Sequence, residues 1–402
     1  MPITQNAIKD AQTLGIAPKQ LDILETLLQR LVTEQKRQSI VTKITRRGQT
    51  IFTGSYGTNP KPYGVQLDSI LHIASITKPI VATLLLILQE DGLIDINDVL
   101  LHYLPEFEGD NVKDIRLWHL LTHTSGIIDD KLYTSINEYV KTELGIDPPA
   151  DDSTHEAWDE YQNKVCKKIG ADSAKGRLND PWYLLAPKIP MSLPPRKEMH
   201  YSNYSYQLLK YIIDAVTKEP IDQFAQRRLF GPLGMTNTYW NVPEEKWGQI
   251  MGREEKTEGY PFWNEPDSYQ NESGSGGLKS TVSDMTRLMQ MILGGGNLDG
   301  QRILSRRSVT EMCTNYNEGI SSAVDGNPDW GAWGLGWCIR DNKQDDSGML
   351  RNRAALDHGG WGGTKVIFDL EEDLTIAFFT VHKEPHNWIF GRVMNVIYSA
   401  LA

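Results

Sequence analysis

Cysteine is scarce in this 402-residue chain: Cys166, Cys313 and Cys338 are the only three, widely separated and with no C-x-x-C pair. That excludes a disulfide framework and a thiolate zinc cage, and it fits a reducing compartment. Basic excess is also missing. The 41 Lys and Arg residues stand against 52 Asp and Glu, for a net charge of −11, and the densest basic cluster, Lys43–Arg47, is broken by Ile44 and Thr45. A nucleic-acid partner is therefore not expected, because a phosphate backbone calls for a basic face. No apolar run reaches the length of a bilayer span, so no membrane partner is expected either. The opening residues M-P-I-T-Q-N-A-I-K-D carry neither a basic nor an apolar leader region, and a cytoplasmic location is the expectation. No repeat of solenoid length is present. Gly294–Gly296 lacks the lysine and the spacing of a phosphate loop, and no cofactor is implied.

What is present is an ordinary globular composition, 40% hydrophobic and 23% charged, long enough for one large core or two smaller ones. Leu21, Leu24, Leu27, Leu28 and Leu31 line one face of a helix predicted over Lys19–Glu34. A hairpin follows, Ile40–Thr45 and Thr50–Gly54, turning at Arg47-Gly48-Gln49. A helix then runs from Ser75 to Gly92, with Gly92 as the residue after its cap. Ile115–Leu121, Tyr201–Val216, Ile221–Phe230, Ser283–Leu293 and Trp388–Leu401 read as further helices, and Trp333–Arg340, Lys365–Asp369 and Leu374–Val381 as strands. Between Ile127 and Glu198 the chain is polar, proline-rich and irregular, the pattern of a lid or binding wall. Strands cluster at both ends. The pattern predicts one sheet built from residues 1–70 and 275–402, with a mainly helical domain, 71–274, inserted.

One pair carries chemistry. In L-H-I-A-S-I-T-K-P-I-V, Ser75 and Lys78 stand at i and i+3 and share a helix face. A serine hydroxyl is a poor nucleophile until a neighbouring base takes its proton. A lysine serves as that base when apolar burial lowers its pKa, and Ile73, Ala74, Ile76, Ile80 and Val81 supply the burial. The helix N-terminus adds N–H groups where an oxyanion would form. Pro79 is tolerated only in a first helical turn, which puts Ser75 near that terminus. The competing reading is a capping serine with a lysine extended to solvent.

Ser75-Ile76-Thr77-Lys78, Tyr201-Ser202-Asn203 and His358-Gly359-Gly360 occur in the order of the three motifs of penicillin-recognising serine hydrolases. The Y-x-N form resembles the class C β-lactamase branch with its D-alanyl-D-alanine peptidases and esterases. H-L-L-T-H-T-S-G (His119–Gly126), L-F-G-P-L-G-M-T-N-T (Leu229–Thr238), S-G-G-L-K-S-T-V-S-D (Ser275–Asp284) and G-L-G-W (Gly334–Trp337) are similar to family phrases, so the resemblance covers roughly residue 35 to the C-terminus. It implies an α+β, β-lactamase/transpeptidase-like fold, with an antiparallel sheet flanked by helices and an active site between that domain and the inserted helical one. Ser75 is implied as nucleophile, with Lys78 or Tyr201 as its base. Asn203 is implied as a substrate-orienting amide that also bonds Lys78, unless it only caps its helix. The N–H of Trp361 is implied as the oxyanion partner of the Ser75 N–H. His358 stands where the family usually has lysine. Histidine is mostly neutral near pH 7, so an anionic substrate should be held less firmly. Trp361-Gly362-Gly363 offers a second register for this motif; His358-Gly359-Gly360 leaves the better spacing to Val366–Asp369.

His119 and His123, four apart, could bind a metal from one helix face, but the metalloprotease glutamate is absent between them and no metal is expected. The sequons at Asn203 and Asn271 carry little weight without a secretion signal. Trp182, Trp240, Trp263 and Trp361 are candidate walls for an apolar acyl pocket. The expected function is a serine hydrolase forming an acyl-Ser75 intermediate on a small-molecule ester, amide or lactam, first of all a carboxylesterase of small to medium acyl groups. A D-amino-acid peptidase or amidase, a weak β-lactamase and a catalytically silent binding protein are the alternatives.

Overall fold

The computed structural model describes residues 13–107, 109, 112–150, 155–171, 180–190, 192–323, 331–343, 345, 347–382 and 388–401. The chain divides into two compact units.

The first unit, Met1–Asp91, Pro220–Glu318 and Ala332–Ala402, holds an antiparallel sheet. Ten strands occur in the described residues: β1 Arg37–Arg46, β2 Gln49–Gly57, β3 Leu71–His72, β4 Lys279–Ser280, β5 Asn297–Leu298, β6 Gln301–Arg302, β7 Cys338–Ile339, β8 Leu356–Gly360, β9 Thr364–Asp369 and β10 Leu374–His382. The main sheet runs β2-β1-β10-β9-β8-β7, so the two ends of the chain meet where Ile40 pairs Thr380 and Ile44 pairs Ile376. Arg47 and Gly48 turn the β1–β2 hairpin with φ of 49° and 73°, the positive pair of a type I′ turn. Helix Pro18–Thr33 lays Leu21, Leu24, Leu28 and Leu31 on one sheet face, beside Val393, Met394 and Ile397 of helix Trp388–Tyr398, against Ile40, Ile44, Ile376 and Phe378. Helix Val282–Leu293, capped by the Thr281 hydroxyl, packs on β1, β9 and β10.

Two sequence expectations differ here. Trp333–Arg340 forms only the two-residue β7, and β8 was not anticipated, because L-D-H-G-G carries little strand propensity. Its place comes from pairing with β9, Leu356 opposite Phe368 and Gly360 opposite Thr364. Residues 71–91 and 220–274 also group with the sheet, not with the helical unit expected over 71–274. β3 pairs β4, and Ile70 exchanges backbone bonds with the segment Gln249–Met251, which ties both stretches to this unit.

The second unit, Gly92–Glu219 with Gly319–Gly331, is mainly helical. The stretch expected to be irregular carries helices Asp129–Tyr139, His155–Ile169 and Pro181–Leu185. Their apolar faces are sparse, Leu132 and Ile136 in the first and Tyr161 and Val165 in the second, too thin a stripe to stand out among the prolines. Among the described residues, no helix is long and apolar enough to cross a membrane.

Candidate active site

Ser75 sits on a single 3₁₀ turn, Ala74–Ile76, that runs directly into helix Thr77–Glu90; Pro79 falls in the first turn of that helix. Ala74 holds φ of 44°, a left-handed backbone uncommon for alanine. The turn is stitched down by Thr77, whose hydroxyl donates to the Ala74 carbonyl at 2.7 Å and accepts the Leu278 N–H at 3.1 Å. Lys78 is 0% exposed. Its Nζ donates to Ser75 Oγ at 3.0 Å and to the Ser275 carbonyl at 2.8 Å. The solvent-reaching lysine is thus excluded, and no side chain caps this helix in the manner of a capping serine. Ser275 was not foreseen as a partner, since a main-chain carbonyl leaves no side-chain signature. Its only signal was the phrase S-G-G-L-K-S around it.

The edge of β8 closes on the same turn. A Cβ on Gly360 would lie 2.2 Å from the Ile73 carbonyl oxygen, so glycine is required for this approach. Gly359 is exposed, and a Cβ there would meet nothing closer than 4.0 Å. His358 lies inside the unit, 3% exposed, with Nδ1 2.9 Å from the Gly359 carbonyl and its ring edge-on to Trp333 at 5.8 Å. Burial, and after it the Lys78 charge, pushes its pKa down to about 3. The consequence for stability has a definite sign. Below about pH 6.5 the unfolded chain takes up a proton that folded His358 refuses, so His358 removes stability as pH falls from about 6.5 toward about 3. The expected NMR signature is a His358 ring that stays neutral down to about pH 4; a midpoint near 6.5 would contradict its burial.

The turn after β8, Trp361 to Gly363, is clamped from a distant loop. The Gly362 N–H donates to Glu258 Oε2 at 2.9 Å, and Arg253 Nη1 donates to the Gly362 carbonyl at 3.3 Å. Neither Arg253 nor Glu258 belongs to a motif, and the sequence reading missed both. Of the four candidate wall tryptophans, Trp240 is core, donating its ring N–H to the Ser273 carbonyl. Trp263 is nearly buried, Trp182 is half-buried beside Tyr133 and Tyr161, and Trp361 is open.

In the second unit, Tyr201 is half-buried and Asn203 exposed at the head of helix Asn203–Thr217. The cap of this helix is Ser202, whose hydroxyl accepts the Ser205 N–H at 3.0 Å; Asn203 is its first residue and not its cap. Asp129 closes the same end. It accepts the Ser202 hydroxyl at 2.7 Å and the Asn203 N–H at 2.6 Å, a carboxylate placed on the positive end of a helix. Asp129→Ala is expected to cost about 1–2 kcal/mol in a denaturant titration, and Asp129→Asn less, because the amide oxygen still accepts. An unchanged midpoint for the alanine variant would contradict the cap. His123, with φ of 60°, packs against the Tyr201 ring at 4.4 Å, tilted by 31°, and its Nδ1 accepts the Ser202 N–H at 3.0 Å. His119 Nδ1 accepts the Arg116 N–H at 3.0 Å, and burial pushes its pKa down to about 4. Both rings considered for a metal thus use a nitrogen on the main chain. Among the described residues, no group of three or more His, Cys, Asp or Glu is arranged to hold a metal ion.

A buried lysine bonded to a serine at the mouth of an apolar helix, with a glycine strand edge against it, is an arrangement suited to serine acyl transfer. The sequence model of the Beta-lactamase family matches residues 24–388, and the chain belongs to that family. It is a β-lactamase-family serine hydrolase with a β-lactamase/transpeptidase-like fold. A protein of Salmonella gallinarum (strain 287/91 / NCTC 13346), described as "Putative D-alanyl-D-alanine carboxypeptidase", is 24% identical over 344 residues, 76% of this chain and 67% of that one. Among solved structures, "EstCE1, a hydrolase with promiscuous acyltransferase activity" aligns with a TM-score of 0.68 at 17% identity, covering 95% of this chain and 98% of its own. A β-lactamase/D-alanine carboxypeptidase from Yersinia pestis aligns with a TM-score of 0.65 at 20% identity, covering 94% and 99%.

Proposed function

We propose that this hydrolase is a carboxylesterase of small to medium acyl esters, working through an acyl-Ser75 intermediate. Ser75 Oγ attacks the ester carbonyl as its proton passes to Lys78 or Tyr201. The N–H groups of Ser75 and Trp361 receive the oxyanion, and the same acid–base pair returns a proton to the leaving alcohol. Water then repeats the sequence on the acyl-enzyme. Asn203 is assigned to orienting the substrate. The observation that carries the choice of ester is His358. A neutral, buried imidazole replaces the fixed ammonium that would hold a carboxylate, so an uncharged substrate loses nothing here while an anionic lactam or peptide end does.

A D-amino-acid peptidase or amidase is the second reading, supported by the likeness to the Salmonella protein described as a D-alanyl-D-alanine carboxypeptidase; a weak β-lactamase stands behind it. The three free cysteines support a cytoplasmic setting. The deciding experiment sets a chromogenic butyrate ester, a D-alanyl-D-alanine peptide and a chromogenic cephalosporin side by side. The ester should give the highest kcat/KM, with acyl-Ser75 trapped by mass spectrometry on rapid acid quench. If the cephalosporin is turned over best, the ester assignment fails, and if nothing acylates Ser75, the silent-binder alternative replaces it. His358→Lys should move selectivity toward substrates with a carboxylate, by about tenfold relative to the neutral ester.

A further inference from the structure

One aromatic side chain on this unit is both exposed and rigidly held. Trp361 is 57% exposed, although it follows directly on Gly360, the glycine pressed against the Ile73 carbonyl two residues before Ser75. Its indole meets Trp263 edge to face at 4.9 Å and 77°. Trp263, 7% exposed, is fixed in turn: it stacks on His72 at 4.8 Å and 2°, and the Arg253 guanidinium lies 4.6 Å from its ring centroid. Two glycines make room for it, since a Cβ on Gly259 or Gly362 would come within 2.5 Å of the Trp263 ring. Arg253 and Glu258 then hold the peptide of Gly362 from both sides. Three layers of support thus end on an indole left open to water, next to the backbone N–H assigned to the oxyanion.

We propose that this indole is the specificity surface of the acyl-Ser75 site, and that it selects esters carrying a flat aromatic ring beside the scissile carbonyl. The inference rests on the esterase reading and names its substrate class. A large apolar face kept in water by a rigid support recovers its hydration cost only when something covers it. An aromatic ring covers it by stacking and loses little freedom in doing so, because both partners are already stiff. A flexible alkyl chain would have to give up its rotamers to cover the same area. Tyr260, 45% exposed in the loop that carries Trp263, extends the aromatic character of this edge.

The test uses pairs matched in size that differ in flatness, with the Trp361→Ala variant separating contact with the indole from the intrinsic reactivity of each ester. Methyl benzoate against methyl cyclohexanecarboxylate places the ring on the acyl side; benzyl acetate against cyclohexylmethyl acetate places it on the alcohol side. Wild type should favour the aromatic member of at least one pair in kcat/KM, and which pair it is names the side. Trp361→Ala should reduce that preference by about three- to tenfold, and Trp361→Phe should retain most of it. A preference that survives Trp361→Ala, or an equal loss on both members of each pair, overturns the proposal. Calorimetric binding of phenylboronic against cyclohexylboronic acid reads the same ratio without turnover. If no ester is hydrolysed while the boronic acids keep a Trp361-dependent preference, the esterase reading falls and the aromatic surface stands; loss of both removes both.

Discussion

Alanine at Ser75 is expected to lower ester kcat/KM by at least about four orders of magnitude while leaving the melting temperature nearly unchanged. The hydroxyl oxygen is the only atom removed, and its one described partner, Lys78 Nζ, keeps the Ser275 carbonyl at 2.8 Å. Lys78→Met should lose about as much activity, because the hydroxyl then has no amine at 3.0 Å to take or steer its proton. Methionine is close to lysine in length and apolar, and Lys78 lies buried in a segment where Ile73, Ile76, Ile80 and Val81 are buried too, so the fold should hold. The double variant should be no worse than either single one, since the two residues act as a unit. Steady-state rates beside thermal melts decide it. A Lys78→Met enzyme that keeps even a tenth of its activity would place the base elsewhere and leave Lys78 a packing role.

Gly360→Val is the second large effect. The added Cβ would begin 2.2 Å from both the Ile73 carbonyl oxygen and the Thr364 hydroxyl, and the first of these is main chain that cannot swing aside. The strand must either leave the Ser75 turn or push it. Ala74 already holds a left-handed φ of 44°, so the turn has little slack. We expect a loss of about 2–4 kcal/mol in unfolding free energy and, in whatever remains folded, at least about a thousandfold in kcat, because the N–H groups proposed as oxyanion donors would be displaced, and such donors stop working when moved by even an ångström. Gly359→Ala is the control one residue away. Its Cβ would point into open space, and the variant should melt with the wild type. Equal damage at 359 and 360 would mean that strand flexibility, and not contact with Ile73, is what the glycines provide.

How much of this was readable beforehand depends on where the information resides. The Ser75–Lys78 pair was legible because the i,i+3 rule converts spacing into contact. The helix that buries it is a nearly unbroken apolar run from Ile80 to Leu88. The long strands β1, β2, β9 and β10 were legible from β-branched runs. β8 was not, since two glycines and an aspartate hide a strand whose place is set by its neighbours. The helices between residues 127 and 198 were masked by prolines and by apolar stripes of two residues each. At the site, what escaped is what main chain or distant loops supply: the Ser275 carbonyl, the grip of Arg253 and Glu258 on Gly362, and Asp129 on the helix that follows Tyr201. His123 carried no assigned role, because the metal reading of its pairing with His119 was set aside. Its positive φ and its bond from the Ser202 N–H make it a brace beside Tyr201, a role that spacing does not encode.

The pairing of β1 with β10 has a consequence for biogenesis. Thr45 and Thr375 share a buried hydroxyl contact 330 residues apart. A ribosome therefore releases β1 and its hairpin partner long before the strand that completes them exists. For most of translation the nascent chain carries an open, β-branched edge, the feature most apt to recruit another copy. Closing so long a loop is slow by topology alone. Synthesis stalled before Leu374 should yield aggregates or chaperone-held chains, not a smaller active enzyme.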